Sequence, residues 1–349
     1  MSTDVARALD HLLKDRYLAL EVALEPLGPP TIQLTTFANT GPSFYDAPDG
    51  RLAAVVDSVA SLANQLELTV WDEAECVPKD SVAALPWVKV IDAKEGYYTS
   101  SRMAAHRLGA HAIMNGTVLD GKGKNGTKSF QERLEERLAD AQPPYVRKLA
   151  QAVWEHDPLT LLHGCWFAGI WGGRARLSRA LSARIDALGV QMQSVQVGGQ
   201  KTADHPSEVG VGQAGAEGET VLGEVPHYTA EVSAERIVAP ILLDLALLRS
   251  YGLPDNANRA LIATAVLMIR ELVDAWPRRR SRCVLVPRGE PAVRLPQGWT
   301  LPTLAELLAE CQRRCREATG RERAEPLIVR YHADNARKKS RSRAEADRT

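Results

Sequence analysis

The stretch 159–180 brings together three residue types that a groove for single-stranded nucleic acid needs. Glycines allow a backbone to approach a ligand closely, aromatic rings offer faces on which bases stack, and arginines pair with phosphate. The glycine pair and the cations that follow it are Gly172, Gly173, Arg174, Arg176 and Arg179. The same composition also fits a tight strand–turn–helix corner with ordinary surface arginines, so the residues alone leave both interpretations open.

The sequence contains no familiar catalytic or metal-binding motif. His106 and His111 are five residues apart, and no cysteine or acidic residue lies at ligand spacing from them, so no metal site is predicted. The chain also lacks the G-x-S-x-G, H-E-x-x-H and paired C-x-x-C patterns. We therefore predict neither a cofactor nor a known type of active site.

A segment rich in glycine and lysine, residues 121–129, resembles a phosphate-binding loop. The required pattern is G-x-x-x-x-G-K-[ST], in which the lysine directly follows the second glycine. Gly121 and Gly126 have the correct gap, but Thr127 displaces Lys128 by one position. We therefore predict a flexible basic loop before a helix over 130–139, and keep nucleotide hydrolysis as a separate hypothesis that ATP turnover would test.

The charge and the cysteine content limit the classes of protein that fit. The chain has 43 basic and 43 acidic residues, so a nucleic-acid interface must depend on local clusters of arginine. Five scattered cysteines do not resemble a disulfide framework, which favours a reducing compartment. The polar N-terminus and the lack of an apolar run of spanning length predict a cytoplasmic protein without a membrane segment.

Helices are predicted to position several candidate side chains. Apolar residues recur at helical spacing over 51–68. Another face of this helix carries small polar side chains, namely Ser58, Ser61 and Gln65. Such a face allows another backbone to come close, although a solvated helix face has the same periodicity. A second, short helix is predicted within 97–113. Its candidate side chains are Arg102, His106 and Arg107.

The remaining pattern alternates irregularly between helices and strands, which is typical of an α+β protein. Further helices are predicted over 4–14, 143–156, 178–188, 234–250, 256–276 and 303–320. Strands are predicted over 17–24, 190–197, 283–287 and 326–332. Residues 198–224, which include Lys201, have the composition of an exposed insertion, and residues 335–349 that of a basic disordered tail.

Several stretches, in order along the chain, resemble one family: the CRISPR-associated RAMP protein that forms the backbone subunit of type I-G effector complexes. The stretches are SVASLANQLE at 58–67, TSSRMAAHR at 99–107, DPLTLLHGCWF and GGRARLSRALSA within 157–183, VPHYTAEVSAERI at 225–237, and LDLALLRSYGL at 243–253. The ordered set spans most of the chain and is more specific than any one of its members.

The resemblance implies a ferredoxin-like (RRM-type) core over residues 1–334, with large insertions that form a palm, a thumb and fingers. It implies a non-catalytic subunit whose copies stack head to tail along one CRISPR RNA and leave the bases free for target DNA. Segment 198–224 is then a candidate thumb or finger element. Other expected partners are a subunit that binds or processes the repeat handle, a large subunit, and a helicase-nuclease recruited later.

Related RAMP proteins cleave precursor RNA, so the resemblance also implies an alternative function. In this alternative the chain is an RNA-processing endoribonuclease with His106 or His163 as general acid or base. Specific cleavage of a repeat RNA, abolished by replacing the histidine with alanine, would distinguish it from a non-catalytic subunit.

The resemblance further assigns residues to RNA binding. The residues predicted to contact RNA are Ser58, Ser61, Gln65, Arg102, His106, Arg107, His163, Gly172, Gly173, Arg174, Arg176, Arg179, Lys201 and His227. Within the same pattern Trp166 and Phe167 are expected to be core residues of a strand, while Trp171 fits either the core or the groove. Guide binding without sequence preference is expected to use phosphate and sugar contacts rather than base edges.

Overall fold

The structure is a computed structural model and describes residues 2–37, 41–119, 126–140, 145–197, 227–277 and 283–332. The helices are α1 (Ser2–His11), α2 (Val59–Thr69), α3 (His111–Met114), α4 (Phe130–Arg137), α5 (Val146–His156), α6 (Leu159–His163), α7 (Leu245–Ser250), α8 (Asp255–Asp274) and α9 (Leu304–Thr319). Short 3-10 helices occur at Asp80–Val82, Arg107–Gly109 and Ile170–Gly173.

The strands are β1 (Tyr17–Pro26), β2 (Thr36–Phe37), β3 (Gly41–Pro42), β4 (Phe44–Asp46), β5 (Leu52–Asp57), β6 (Trp71–Asp72), β7 (Val77–Pro78), β8 (Val88–Ile91), β9 (Tyr97–Ser100), β10 (Thr117–Val118), β11 (Cys165–Phe167), β12 (Ala175–Leu177), β13 (Leu181–Ala183), β14 (Ile185–Val197), β15 (His227–Asp244), β16 (Leu285–Pro287), β17 (Ala292–Leu295) and β18 (Leu327–Arg330).

An antiparallel sheet forms the centre of the fold, in the order β16–β1–β15–β14–β5–β4. β17 also pairs with β1, and β13 pairs with the C-terminal part of β15. In β1 alternate side chains are buried, from Leu18 to Leu24, which is the pattern of a sheet with one face on the core. The longest ladder joins β14 to β15, from Asp186 opposite Val238 to Val197 opposite His227.

The two longest helices, α8 and α9, pack against each other, and α8 also contacts α2. α8 is buried on most of its circumference, as expected for a helix in the centre of a core rather than at a surface. Thr303 and Glu306 form a capping box at the start of α9, and Gly320 follows its last turn in a left-handed conformation. Both ends of this helix are therefore fixed by its own sequence.

A smaller sheet has the order β10–β18–β8–β9, in which β18 runs parallel to β8. The other two pairings are antiparallel. Its edge strand β9 leads directly into residues 101–110, a turn that carries three of the predicted RNA contacts. This sheet therefore positions one part of the candidate site.

The α+β class is confirmed. The helices predicted over 143–156, 256–276 and 303–320 are α5, α8 and α9, and the strands predicted over 17–24 and 326–332 are β1 and β18. Three helix predictions are wrong in whole or in part. Residues 52–57 of the helix predicted over 51–68 form β5, and β15 continues to Asp244 within the helix predicted over 234–250. In the helix predicted over 178–188, residues 181–183 form β13 and residues 185–188 begin β14, which confirms the strand predicted over 190–197. β5, β14 and β15 each have a strand on both sides, and their apolar runs lack the strict alternation of a half-exposed strand. The helix predicted within 97–113 is also wrong, because β9, a turn and the single-turn α3 take its place.

Some predictions concern residues outside the described part of the chain. Segment 198–224 with Lys201, the tail 335–349 and most of the basic loop 121–129 belong to this group, so their roles stay predictions. Within the described residues no helix has the length and apolar character needed to cross a membrane.

Candidate nucleic-acid interface

A short hairpin, formed by β11 and β12, carries an aromatic ring and a cation on its outer face. Trp166 lies directly opposite Arg176 in the antiparallel register, so both side chains project from the same face. The alternate residues of the two strands are buried: Cys165, Phe167, Ala175 and Leu177. Trp166 is 61% exposed and Arg176 is exposed as well. The hairpin therefore presents an indole and a guanidinium side by side to solvent.

The turn of this hairpin holds Arg174 and the glycine pair. Trp171, Gly172 and Gly173 have positive φ angles of 49°, 62° and 80°, a left-handed run that favours glycine. The Trp171 ring is partly buried against the core. Arg174 donates from Nε to the Trp171 carbonyl at 3.2 Å, and its side chain is otherwise exposed. Within the described residues neither Arg174 nor Arg176 forms an ion pair, so both charges face solvent.

The turn that carries His106 packs against the backbone of the hairpin. The Cys165 thiol donates to the His106 carbonyl at 3.4 Å. A Cβ atom on Gly109 would lie 2.4 Å from the Trp166 carbonyl oxygen, so this close approach requires glycine. The His106 residue itself is exposed. Of the predicted contacts, His106, Arg174 and Arg176 are exposed, and the turn that carries His106 packs against the hairpin that carries the two arginines.

Arg102 and Arg107 lie in the interior, where each meets a carboxylate from another element. Arg107 donates from Nε and Nη2 to the two oxygens of Glu67 in α2, at 2.7 and 2.6 Å. Arg102 Nε lies 3.0 Å from an oxygen of Asp157. The exposed fractions of Arg107 and Glu67 are 6% and 4%. Because these charges are matched inside the protein, RNA contact by the two arginines stays a prediction.

Burial shifts the pKa values in this charged interior. It raises the pKa of Glu67 to about 7, while the Arg107 guanidinium acts in the opposite direction. Burial likewise raises the pKa of Asp157 and lowers that of Arg102, in each case opposed by the charge of the partner. The bidentate hydrogen bond from Arg107 also joins the turn that carries His106 to α2, because Glu67 belongs to that helix.

His163 also lies in the interior, 1% exposed, at the end of α6. Neither of its ring nitrogens has a hydrogen-bond partner within the described residues. Burial, followed by the nearby charges of Arg107 and Arg179, lowers the pKa of His163 well below its ordinary value. Arg179 is half-buried and donates from Nε to the His163 carbonyl at 3.1 Å. The ring is therefore neutral at pH 7 and is shielded from solvent.

Two of the small polar residues predicted to share a face of α2 cap its first turn. Ser58 is the N-cap residue, and its hydroxyl accepts from the Ser61 amide at 3.2 Å. The Ser61 hydroxyl donates to Asp57 at 3.1 Å. Gln65 is half-buried one turn further on. Only the predicted start of the helix is wrong, because α2 begins after β5 has ended; RNA contact by these three residues stays a prediction.

Trp166 is the residue whose place the sequence interpretation missed. The sequence predicts a core position, which is confirmed for Phe167 but wrong for Trp166. The available signal is the alternation in CWF and ARL, which puts Trp166 and Arg176 in the phase opposite to their buried neighbours.

Another predicted contact, His227, is the first residue of β15, where it lies opposite Val197 of β14 in the ladder. Within the described residues no three His, Cys, Asp or Glu side chains are grouped so as to hold a metal ion.

Two comparisons with known proteins find similarities to CRISPR-associated proteins. A solved structure described as a CRISPR RNA-guided surveillance complex, pre-nicking, is similar to the chain, with a TM-score of 0.36 and 11% sequence identity. The similarity covers 73% of this chain and 69% of that chain. Comparison with curated proteins gives no match. Residues 18–192, half of the chain, match the family described as CRISPR-associated protein GSU0053, and the protein therefore belongs to that CRISPR-associated family.

Proposed function

We propose that this protein is a non-catalytic subunit of a type I-G CRISPR effector, and that its copies polymerise along the guide RNA and hold its backbone. The observation that carries the proposal is the exposed hairpin, in a chain of a CRISPR-associated family. Within the described residues its Arg174 and Arg176 have no carboxylate partner. Such guanidinium groups pair with phosphate whatever base it carries. A surface that holds guide RNAs of many sequences needs contacts of this kind.

The order of the elements supports an RRM-type core for this subunit. β1, α2, β14, β15, α8 and β16 follow the β-α-β-β-α-β order of ferredoxin-like folds. In the central sheet these strands are neighbours, in the order β16–β1–β15–β14. We take the remaining elements as the insertions that form the palm, the thumb and the fingers.

We assign different tasks to the exposed and the buried candidates. Arg174, Arg176 and His106 are exposed and contact RNA phosphate in the proposal. Arg107 and Arg102 instead hold the turn that supports the hairpin, because their charges are matched by Glu67 and Asp157. In the proposal these pairs fix the position of the turn, because moving it would leave an unmatched charge in the interior.

The proposed partners follow from the same role. CRISPR RNA binds along the hairpin surface, target DNA pairs with the guide, and further copies continue the filament by a head-to-tail contact that does not close. A repeat-handle subunit and a large subunit complete the complex, and a helicase-nuclease is recruited later. The balanced charge of the whole chain suits a subunit that must pack against copies of itself.

RNA binding by the full chain tests the proposal. Protein co-expressed with a repeat array is expected to carry RNA through purification, seen in its ultraviolet spectrum. Arg174→Ala and Arg176→Ala are each expected to weaken filter binding of CRISPR RNA and to reduce the salt slope by about 0.7 per lost phosphate contact. The control is Arg7→Ala, which removes an exposed arginine of α1 that pairs weakly with Asp4. Purified protein without RNA, together with unchanged binding by both hairpin variants, would contradict the proposal.

The alternative, an endoribonuclease, now depends on one of its two histidines. His163 is buried and neutral, whereas the His106 side chain is exposed to solvent on a turn that packs against the hairpin. Incubation of repeat RNA with the protein and with His106→Ala separates the two functions. Intact RNA in both samples removes the alternative, and specific cleavage lost in His106→Ala replaces our proposal with it.

A further inference from the structure

We propose that Trp166 is a stacking platform for an unpaired nucleobase of the bound RNA, with Arg176 beside it to hold the adjacent phosphate. The inference rests on the proposed function and adds to it a contact with the base itself. Phosphate contacts alone hold a strand without fixing how its bases lie, whereas a ring that stacks on one base fixes the strand at that point.

The Trp166 ring is held in place although it is exposed. Its Nε1 donates to the Gly173 carbonyl at 2.8 Å across the hairpin, so the polar group of the indole needs no other partner. The atom Cζ2 of the ring lies 3.9 Å from the position that a Cβ on Gly173 would occupy, so the ring lies close over the turn. A ring that is already fixed loses little conformational entropy when a base stacks on it.

The exposure of Trp166 sets it apart from the other tryptophans. All seven lie within the described residues, and the remaining six are buried or half-buried. Burying an indole stabilises a fold strongly, so leaving this one 61% exposed gives up that stabilisation. The β11–β12 pairing keeps the ring on the outer face, while Phe167 in the next position is fully buried.

The composition of the exposed face of the hairpin favours a nucleobase over a protein partner. The other exposed residues from 165 to 178 are small or cationic: Ala168, Gly169, Gly172, Arg174, Arg176 and Ser178. A protein interface needs a wider apolar area around a central tryptophan, with a polar rim outside it. One exposed ring and two guanidinium groups on the same hairpin instead match a base and the phosphates on either side of it.

Binding of intact and abasic RNA distinguishes base stacking from phosphate contact. The probes are a CRISPR RNA and the same backbone with stable abasic nucleotides. Trp166→Ala is expected to weaken binding of the intact RNA about 5- to 150-fold, the range found when a stacking aromatic residue is removed. Trp166→Phe, which keeps an aromatic face, is expected to retain most of the affinity. Abasic RNA is expected to bind the wild type and Trp166→Ala equally.

Intrinsic fluorescence gives an independent readout, because Trp166 is the exposed tryptophan. Intact RNA is expected to quench the emission of the wild type more than that of Trp166→Ala, and abasic RNA to quench both equally. Leu308→Ala, at an exposed apolar position of α9, is the control and is expected to bind RNA like the wild type.

Three results would overturn the inference. If Trp166→Ala binds intact RNA as the wild type does while Arg176→Ala binds it weakly, the ring does not stack and the proposed function stands. If Trp166→Ala loses self-association in light scattering but keeps its RNA affinity, the ring belongs to a contact between copies. If the wild type binds no RNA, the inference falls together with the proposed function.

Discussion

Replacing Arg107 with methionine tests whether the buried ion pair with Glu67 behaves as the structure indicates. Methionine keeps much of the aliphatic stem of arginine but removes the two hydrogen bonds, of 2.7 and 2.6 Å, to the carboxylate. Glu67 is then left in the interior without its cation. Its pKa is expected to rise further above the value of about 7 that it has beside Arg107.

The size of the effect depends on pH, and its sign follows from proton binding. A carboxyl group with a raised pKa binds its proton more tightly in the folded chain, so its contribution to stability falls as the pH rises from 4.5 through about 7. In the wild type this loss levels off above about pH 7, whereas in Arg107→Met it continues. The variant is therefore expected to lose about 1.4 kcal/mol relative to the wild type for each pH unit above 7, or about 3 kcal/mol at about pH 9.

Urea unfolding of both proteins at about pH 6, pH 7.5 and pH 9 measures this difference. Arg7→Met, which removes one side of the exposed pair with Asp4, is the control and is expected to change stability by less than about 1 kcal/mol at each pH. Combining Arg107→Met with Glu67→Gln removes the carboxyl group of Glu67, so the extra loss of stability that Arg107→Met shows above pH 7 is expected to disappear. A destabilisation by Arg107→Met that is the same at pH 6 and pH 9 would refute the reasoning.

The remaining predictions concern the interior residues that support the hairpin. The folded chain keeps His163 neutral while the unfolded chain takes up a proton below about pH 6.5, so His163→Leu is expected to gain about 1.4 kcal/mol over the wild type for each pH unit below that value. Urea unfolding at pH 5.5 and pH 7.5 checks this, and parallel curves for the two proteins would contradict it. Gly109→Ala places a Cβ 2.4 Å from the Trp166 carbonyl, so a loss of about 1–3 kcal/mol and a shifted tryptophan emission are expected. Gly96→Ala, where the nearest atom to the new Cβ is 3.4 Å away, is the control and is expected to be tolerated, and equal stability of both variants would show that the hairpin does not need the close approach.

The elements predicted best from the sequence are those whose periodicity and end-capping residues lie within the element itself. α8 and α9 are long and periodic, and α9 begins at a capping box and ends at a left-handed glycine, so no distant residue is needed to define it. β15 has no such local signal. Its run of apolar residues is strand because β1 and β14 lie on its two sides, and these partners are far away along the chain.

The candidate site divides in the same way. The exposed turn with Arg174 and Arg176 can be found from its glycines and cations, because a turn of that composition is a surface feature. The burial of Arg107 cannot be found from the sequence, because its partner Glu67 is 40 residues away and belongs to another element. A basic residue in a family motif looks the same in sequence whether it faces RNA or a buried carboxylate.

The ladder between β14 and β15 has a consequence for local unfolding. Near its base, Asp186 and Leu188 pair with β15 on one side and with β5 on the other. Among the described strands, the part from Val190 to Val197 pairs with β15 alone. A ladder with one partner strand opens at lower free energy than one inside a wider sheet, so amide hydrogens in this outer part exchange with solvent first and those at the base last. Any partner that orders the outer part of this ladder can then be recognised as protection that extends outward from Leu188.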